Sequence, residues 1–218
     1  MKEYDELADE LNGRAAQLGG HAQHWIGLAG APGSGKSTLA AALRERLGER
    51  LTLISMDGYH YYRQELDAMS DPKNAHARRG APFTFNAPRL VAELLEARES
   101  GTGSFPDFDH GVGDPVEDVT VLTNEIPRIV MVEGNYLLLD DEPWCRLREQ
   151  VFDETWFLDV PVAECMRRIY QRHLTTGQTA EGAQRRVATN DSINADLVIA
   201  ASVSNADRVL RICQLGTL

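Results

Sequence analysis

The chain has 218 residues with 22 basic and 33 acidic side chains, a formal net charge of −11, and only three of the basic residues are lysines: Lys2, Lys36 and Lys73. The length suits one domain of roughly 100–250 residues, and 43% hydrophobic with 25% charged residues excludes wholesale disorder. The acidic balance argues against a nucleic-acid partner, which needs a basic face, yet leaves an anionic ligand open because the field at a site is local.

Cys145, Cys165 and Cys213 are widely spaced, and no CxxC pair occurs. That excludes a disulfide framework and a sequence-evident zinc site, so each cysteine is read as a small core residue. The acidic start Met-Lys-Glu-Tyr-Asp-Glu has no apolar signal core, and no apolar run approaches a membrane span. A soluble cytoplasmic protein with no membrane partner is expected.

In chain order, residues 3–18 read as an amphipathic helix with Leu7, Leu11 and Leu18 near helical spacing, closed by Gly19-Gly20. Trp25 to Ala29 is a short buried strand. A glycine-rich turn follows, then a helix from Ser37 to Leu47 and a second buried strand from Leu51 to Ser55, a βαβ unit whose strands should lie parallel in one sheet. Residues 70–86 and 100–118, rich in Gly, Pro and Asn, read as long loops, and loops of that length in a compact domain are more often functional than idle. Between them, Asn86 and Pro88 start a helix over about 87–99. Strands are expected at Arg128 to Glu133 and Thr155 to Val160, and helices from Pro161 to about Leu174 and from Thr179 to about Thr189. Leu197 to Ala201 and Val209 to Ile212 read as short final strands. The alternation predicts an α/β doubly wound fold in a single domain spanning 1–218.

The strongest feature is Gly30-Ala31-Pro32-Gly33-Ser34-Gly35-Lys36-Ser37, which fits GxxxxGK[ST] between a predicted strand and a predicted helix. Its backbone N–H groups and the helix N-terminus would face phosphate oxygens, Lys36 would bridge the terminal phosphates, and the Ser37 hydroxyl would ligate Mg²⁺. Gly30, Gly33, Ser34, Gly35, Lys36, Ser37 and Thr38 are therefore the candidate nucleotide-binding residues. Neither an NKxD-type guanine reader nor an LSGGQ-type signature is present, which points away from a GTPase switch and a transporter ATPase and towards a small-molecule kinase.

Asp57 follows the second strand on the ligand edge of a parallel sheet, where a carboxylate can accept the proton of an attacking hydroxyl; alternatively, Asp57-Gly58 is only a turn pair. Glu133 ends an apolar strand in the arrangement that holds Mg²⁺, or it contacts the substrate; the plainer alternative is an exposed acid before a turn. On the helix from Pro161, Val162, Cys165, Met166 and Ile169 form the buried stripe. Arg168 and Arg172 share a face beside it, Arg167 projects away, and Arg185 and Arg186 follow. An arginine-bearing lid over about 161–190 can close on the transferring phosphoryl group; the bland alternative pairs these arginines with Glu164 and Glu181.

Five segments carry a resemblance: the phosphate loop through Thr38, Met-Asp-Gly-Tyr-His-Tyr from Met56, Arg-Gly-Ala-Pro-Phe-Thr-Phe from Arg79, Phe-Pro-Asp-Phe-Asp-His from Phe105, and Val-Glu-Gly-Asn-Tyr-Leu-Leu from Val132. Over most of residues 24–200 the chain resembles the uridine kinase, pantothenate kinase and phosphoribulokinase group of P-loop kinases. It looks closest to a bacterial branch labelled nucleoside kinase-like or "putative fructose transport system kinase". The resemblance implies a three-layer α/β/α fold with a five-stranded parallel sheet of order 2-3-1-4-5 and a mobile lid, and ATP and Mg²⁺ as cosubstrates. It makes Asp57 the base and places His60, Arg79, His110 and Tyr136 near the acceptor; the reading of the residues themselves adds Lys36, Arg168 and Arg172 as catalytic candidates and Asp57 and Glu133 as substrate contacts. Dimers are compatible with it. The expected activity is phosphoryl transfer to a hydroxyl of a small polar metabolite, a fructose-type sugar or a nucleoside. A pantothenate-like acid is the alternative acceptor, and a regulatory ATPase without an acceptor is the rival class.

Overall fold

Short apolar runs form the central strands, and their lack of alternating polarity is what a parallel sheet covered on both faces requires. In the computed structural model, which describes residues 2–126 and 128–212, helix α1 (Lys2–Gln17) leads into β1 (Gln23–Gly30), α2 (Lys36–Leu47) and β2 (Leu51–Ser55). Two short helices, α3 (Arg63–Asp67) and α4 (Pro72–Ala77), precede α5 (Ala87–Ser100) and the strands β3 (Gly103–Asp109) and β4 (Asp114–Leu122). Then come β5 (Arg128–Gly134), α6 (Cys145–Gln150), β6 (Glu154–Leu158), α7 (Val162–Thr175), α8 (Ala180–Arg186), α9 (Ser192–Ser202) and β7 (Arg208–Leu210).

The main sheet has the order β2-β5-β1-β6-β7, with every neighbouring pair parallel. Counting only these five strands along the chain, the order is 2-3-1-4-5, as the resemblance implies. β5 is buried throughout. Its Ile129 and Met131 pack with Leu11 of α1 and Leu39 and Leu43 of α2, while Val130 and Val132 pack with Leu90 and Leu94 of α5 and with Trp144. Two cores on opposite faces of one sheet make the three layers. No helix among the described residues is long and apolar enough to cross a membrane.

Several sequence expectations give way. The segment 70–86 is not a loop throughout. The Asp71 carboxylate caps α4, Pro72 occupies its first turn, and a 3-10 turn follows at Pro82–Thr84, because proline at the first helical position starts a helix rather than breaking one. The segment 100–118 is mostly the antiparallel hairpin β3–β4, with its irregularity between Phe105 and Asp107, around Pro106; a two-stranded ribbon is all edge, so it tolerates the prolines that suggested a loop. Leu197 to Ala201 is not a strand but the end of α9, where Ala195 and Val198 are buried at helical spacing. The helix expected over 179–189 stops at Arg186 and passes through a π turn, Val187–Asp191, straight into α9. Cys165 is a core residue as expected, but Cys145 is only half-buried at the start of α6; Cys213 lies outside the described residues.

The hairpin rests on the turn that follows β2. A 3-10 turn spans Met56–Tyr59, and a Cβ added at Gly58 would stand 2.3 Å from the Pro106 carbonyl oxygen. Gly58→Ala should therefore push the hairpin off this turn and lower unfolding stability by about 1–3 kcal/mol, read as a lower urea midpoint. An unchanged midpoint would mean that the hairpin does not bear on it.

Candidate active site

The turn from β1 to α2 is built for a ligand rather than for closure. Gly33 and Gly35 have φ of 80° and 95°, the left-handed region open chiefly to glycine. A side chain at Gly33 would also collide with the Cys165 carbonyl oxygen of α7, 2.5 Å away. Helices α4, α5 and α8 each begin with a side-chain cap, from Asp71, Asn86 and Thr179. α2 begins at Gly35 with none, so its first-turn N–H groups have no capping side chain to accept them. Ser34 is fully buried, and its Oγ has no hydrogen-bond partner among the described residues. Thr38 is half-buried in the same first turn. Uncapped N–H groups and an orphaned hydroxyl around a glycine cradle fit a phosphate chain.

Lys36 is buried, and its Nζ donates to Gly30 O at 3.0 Å, Ala31 O at 3.2 Å and Asn135 Oδ1 at 2.8 Å. All three acceptors are neutral, and among the described residues Lys36 makes no direct ion pair. Burial pulls its pKa down, and the charges of Glu133 and Asp57 work against that.

Glu133, near the end of β5, accepts from Ser37 Oγ at 2.9 Å and from Ser55 Oγ at 3.5 Å. Burial first, then the charge of Asp57 and more weakly that of Asp107, push its pKa up to about 7 against the pull of Lys36 and the Ser37 hydrogen bond. Asp57, in the turn after β2, is held by its backbone: its N–H donates to Ser55 Oγ at 3.3 Å, and its carbonyl accepts from His60 Nδ1 at 2.8 Å. Its carboxylate makes no hydrogen bond among the described residues, yet its charge is felt at Lys36, His60, Glu133 and Tyr136. The bare turn-pair account of Asp57-Gly58 thus describes the backbone but not that side chain.

A carbonyl can only accept, so His60 carries its proton on Nδ1, and burial lowers its pKa. A neutral ring in this tautomer leaves Nε2 as an acceptor. The ring lies 3.9 Å from Phe85 and 4.9 Å from Phe108, centroid to centroid. His110, exposed at the hairpin, stacks edge-on to Phe108 at 5.2 Å. Arg79 lies over Phe108 and donates to Gly113 O, Tyr61 O and Asp114 Oδ1, the last at 2.9 Å. Tyr136 is buried, and its hydroxyl donates to Gly80 O at 2.5 Å.

The arginines divide. Arg168 Nη1 donates to Ser34 O at 3.2 Å while its Nε holds Glu164 at 2.7 Å. Arg172 is exposed on the same helix, makes no side-chain hydrogen bond or ion pair among the described residues, and its charge reaches Lys36. Arg167 and Arg185 follow the bland alternative, paired with Glu164 and Glu181.

The fold therefore brings Lys36, Ser37, Asp57, His60, Glu133 and Arg168 to one edge, with Arg79, His110 and Tyr136 around it. Sequence reasoning missed Asn135, Ser55 and Asp107. Asn135 and Asp107 lie in segments that carry the resemblance, Asn135 directly after Glu133-Gly134 at the strand end, but the sequence reading assigns neither a role. Ser55 ends β2, and neither spacing nor chemistry singles it out.

Glu133 generates a pH test. Between about pH 4.5 and 7 the folded chain keeps a proton that the unfolded chain has released, so folding stability falls as pH rises through that window. Measured without nucleotide, wild type and Glu133→Gln should be about equally stable near pH 5, and wild type less stable near pH 8 by up to about 3 kcal/mol. A difference that does not change with pH would contradict the raised pKa.

Comparison with known proteins agrees with this fold. The model of the Phosphoribulokinase / Uridine kinase family matches residues 25–215. The Schizosaccharomyces pombe protein named "Putative uridine kinase C227.14" is 40% identical over 223 residues, covering 96% of this chain and 92% of that one. A crystal structure from Silicibacter sp. TM1040, named "putative fructose transport system kinase", superposes with a TM-score of 0.79 at 31% identity, covering 94% of this chain and 98% of that one. YFH7 from Saccharomyces cerevisiae shares the fold, with a TM-score of 0.80 at 19% identity over 97% of this chain and 98% of that one. The chain belongs to the phosphoribulokinase/uridine kinase family of P-loop kinases and is an ATP-dependent phosphotransferase with an alcohol group as acceptor.

Proposed function

We propose that this chain transfers the γ-phosphoryl group of ATP, with Mg²⁺, to a hydroxyl of a small polar metabolite, a fructose-type sugar or a nucleoside. One observation carries the proposal: the Asp57 carboxylate, free of hydrogen bonds among the described residues, stands within the electrostatic reach of both Lys36 and His60. A carboxylate whose charge reaches both a phosphate-loop lysine and the His60 ring would serve to take a proton from a bound hydroxyl.

The N–H groups of residues 33–38 and the Lys36 ammonium would hold the β- and γ-phosphates. Ser37 Oγ and the Glu133 carboxylate, 2.9 Å apart, are the hard-oxygen pair that would hold Mg²⁺, which keeps most of its shell as water and phosphate oxygens. When bound, Mg²⁺ supplies charge neutralisation and orientation of the transferring group. The Glu133 proton would leave as the cation arrives, since the two compete for the same oxygens. Asp57 would orient the acceptor hydroxyl and take its proton. His60 and Phe108, both half-buried, offer rings for the flat face of a base or the C–H face of a sugar, with Phe85 backing His60 from the core and Arg79, His110 and Tyr136 at the border. Arg168 or Arg172, on a lid over about 161–190, would spread charge on the transferring phosphoryl group; Arg172, whose side chain has no hydrogen-bonded or ion-paired partner among the described residues, is the one with nothing there to release. Preorganised charges of this kind are worth about 3 kcal/mol per strong contact.

An ADP-release assay across sugars, nucleosides and vitamin precursors tests the reading, and at least one should raise the rate clearly above that with water alone. With that acceptor, Asp57→Asn should lower turnover by at least about 100-fold while ATP affinity stays within about threefold. Full turnover by Asp57→Asn would remove Asp57 from the role of base. Slow hydrolysis that no metabolite accelerates would favour a regulatory ATPase instead.

A further inference from the structure

The short segment Arg78-Arg79-Gly80 is fastened to three different parts of the molecule at once. The Arg79 side chain bonds to the hairpin through Gly113 O and Asp114. The Gly80 carbonyl accepts from Tyr136, just beyond β5. The third attachment runs to the π turn and α9. Arg78 Nε donates to Asn190 Oδ1 at 2.9 Å and Arg78 Nη2 to Asn194 Oδ1 at 3.1 Å. The Arg79 carbonyl in turn accepts from Asn190 Nδ2 at 3.2 Å and Arg186 Nη2 at 3.1 Å.

Asn190 and Asn194 are 1% and 2% exposed, so these amides do not exchange their partners for water without cost. Asn190 is used from both ends, accepting from one residue of the segment and donating to the next. Arg78 is held by two neutral oxygens and makes no ion pair among the described residues, so geometry rather than charge pairing fixes it. The π turn Val187–Asp191 puts Asn190 into this position, and π turns inside helices are frequent at functional sites. The next residue, Asp191, accepts from His173 Nε2 at 2.8 Å, which ties the same turn back to α7, the helix that carries Arg168 and Arg172.

We infer that Arg78 and Asn190 are positioning residues that lock the acceptor-side segment Arg79–Phe85 to the arginine-bearing helices, so that engagement of the phosphate loop is felt at the acceptor side. The inference rests on the functional reading above, because it takes Arg168 and Arg172 as the groups that respond to nucleotide. Neither Arg78 nor Asn190 touches the reacting atoms; each acts through Arg79 and through α7. The chain of contacts is continuous: phosphate loop Ser34 to Arg168, along α7 to His173, to Asp191 and Asn190, to Arg78 and the Arg79 carbonyl.

Hydrogen exchange of the whole chain, with and without Mg²⁺ and adenylyl imidodiphosphate, tests it. In wild type the analogue should slow exchange at 30–38 and also, by about threefold or more, at 79–85. Asn190→Ala and Arg78→Gln should each keep the protection at 30–38 and lose that at 79–85. A purely structural role would loosen 79–85 equally with and without the analogue, and that outcome overturns the inference. So does protection at 79–85 that survives in both variants, or that is absent from wild type while 30–38 are protected. Failure of the analogue to protect 30–38 in wild type would overturn the functional reading, and the inference with it.

Discussion

A buried ammonium group organises this molecule. Lys36 sits beneath the surface at the N-terminus of α2, held by two loop carbonyls and the Asn135 amide. A buried charge whose direct partners among the described residues are all neutral is costly, and it persists only if the surrounding chain is fixed around it. The Gly30 and Ala31 carbonyls reach it because the loop curls through left-handed glycines, and Asn135 reaches it because β5 runs beside β1 in register, with Leu28 opposite Glu133 and Ala29 opposite Gly134. The carboxylates that face it come from the ends of two adjacent strands, β5 and β2: Ser55 of β2 pairs with Glu133 of β5, and Asp57 is two residues further on. The same arrangement that leaves Lys36 without a carboxylate bonded to it leaves Glu133 partly protonated near neutrality. The site therefore has charge to offer an anionic ligand and an oxygen pair to offer a cation.

The rest of the fold keeps these pieces at their separations. β5 is packed on both faces and cannot shift without disturbing both cores. The turn carrying Asp57 is clamped on its far side, where Tyr59 Oη donates to Glu93 at 2.6 Å and Arg89 stacks over the Tyr59 ring. The hairpin leans on Gly58 from above. Several arginines pair with carboxylates away from the site, as Arg46 does with Asp5, Arg208 with Glu10 and Arg211 with Asp159. Net charge thus says little about what the molecule binds, and the placement of Lys36 says much.

What was legible in the sequence follows from how local each signal is. The phosphate loop, β1, β2, β5 and α2 were readable because glycine spacing and apolar runs are local properties, and Asp57 and Glu133 were readable because a strand end in a parallel sheet is a defined place. The hairpin was not. Its valines at 112, 116, 119 and 121 are exposed, so β3–β4 has no buried alternation to detect, and its glycines and prolines imitate a loop. Leu197 to Ala201 failed for the opposite reason: a continuous apolar run has no period, and only the helix continuing from the π turn settles it. Asn135, Ser55 and Asp107 depend on which strand end faces which, a matter of register rather than of composition.

The claim that the Lys36 charge is reserved for phosphate can be tested by calorimetric titration of wild type and Lys36→Met with Mg²⁺ and adenylyl imidodiphosphate. Wild type should bind, and the variant, which keeps an unbranched side chain of nearly the same reach but loses the charge and the donors, should bind at least about 100-fold more weakly, a loss of about 2.7 kcal/mol. Equal affinity in the two proteins would show that the ammonium serves the fold alone, and the account of this site would fail.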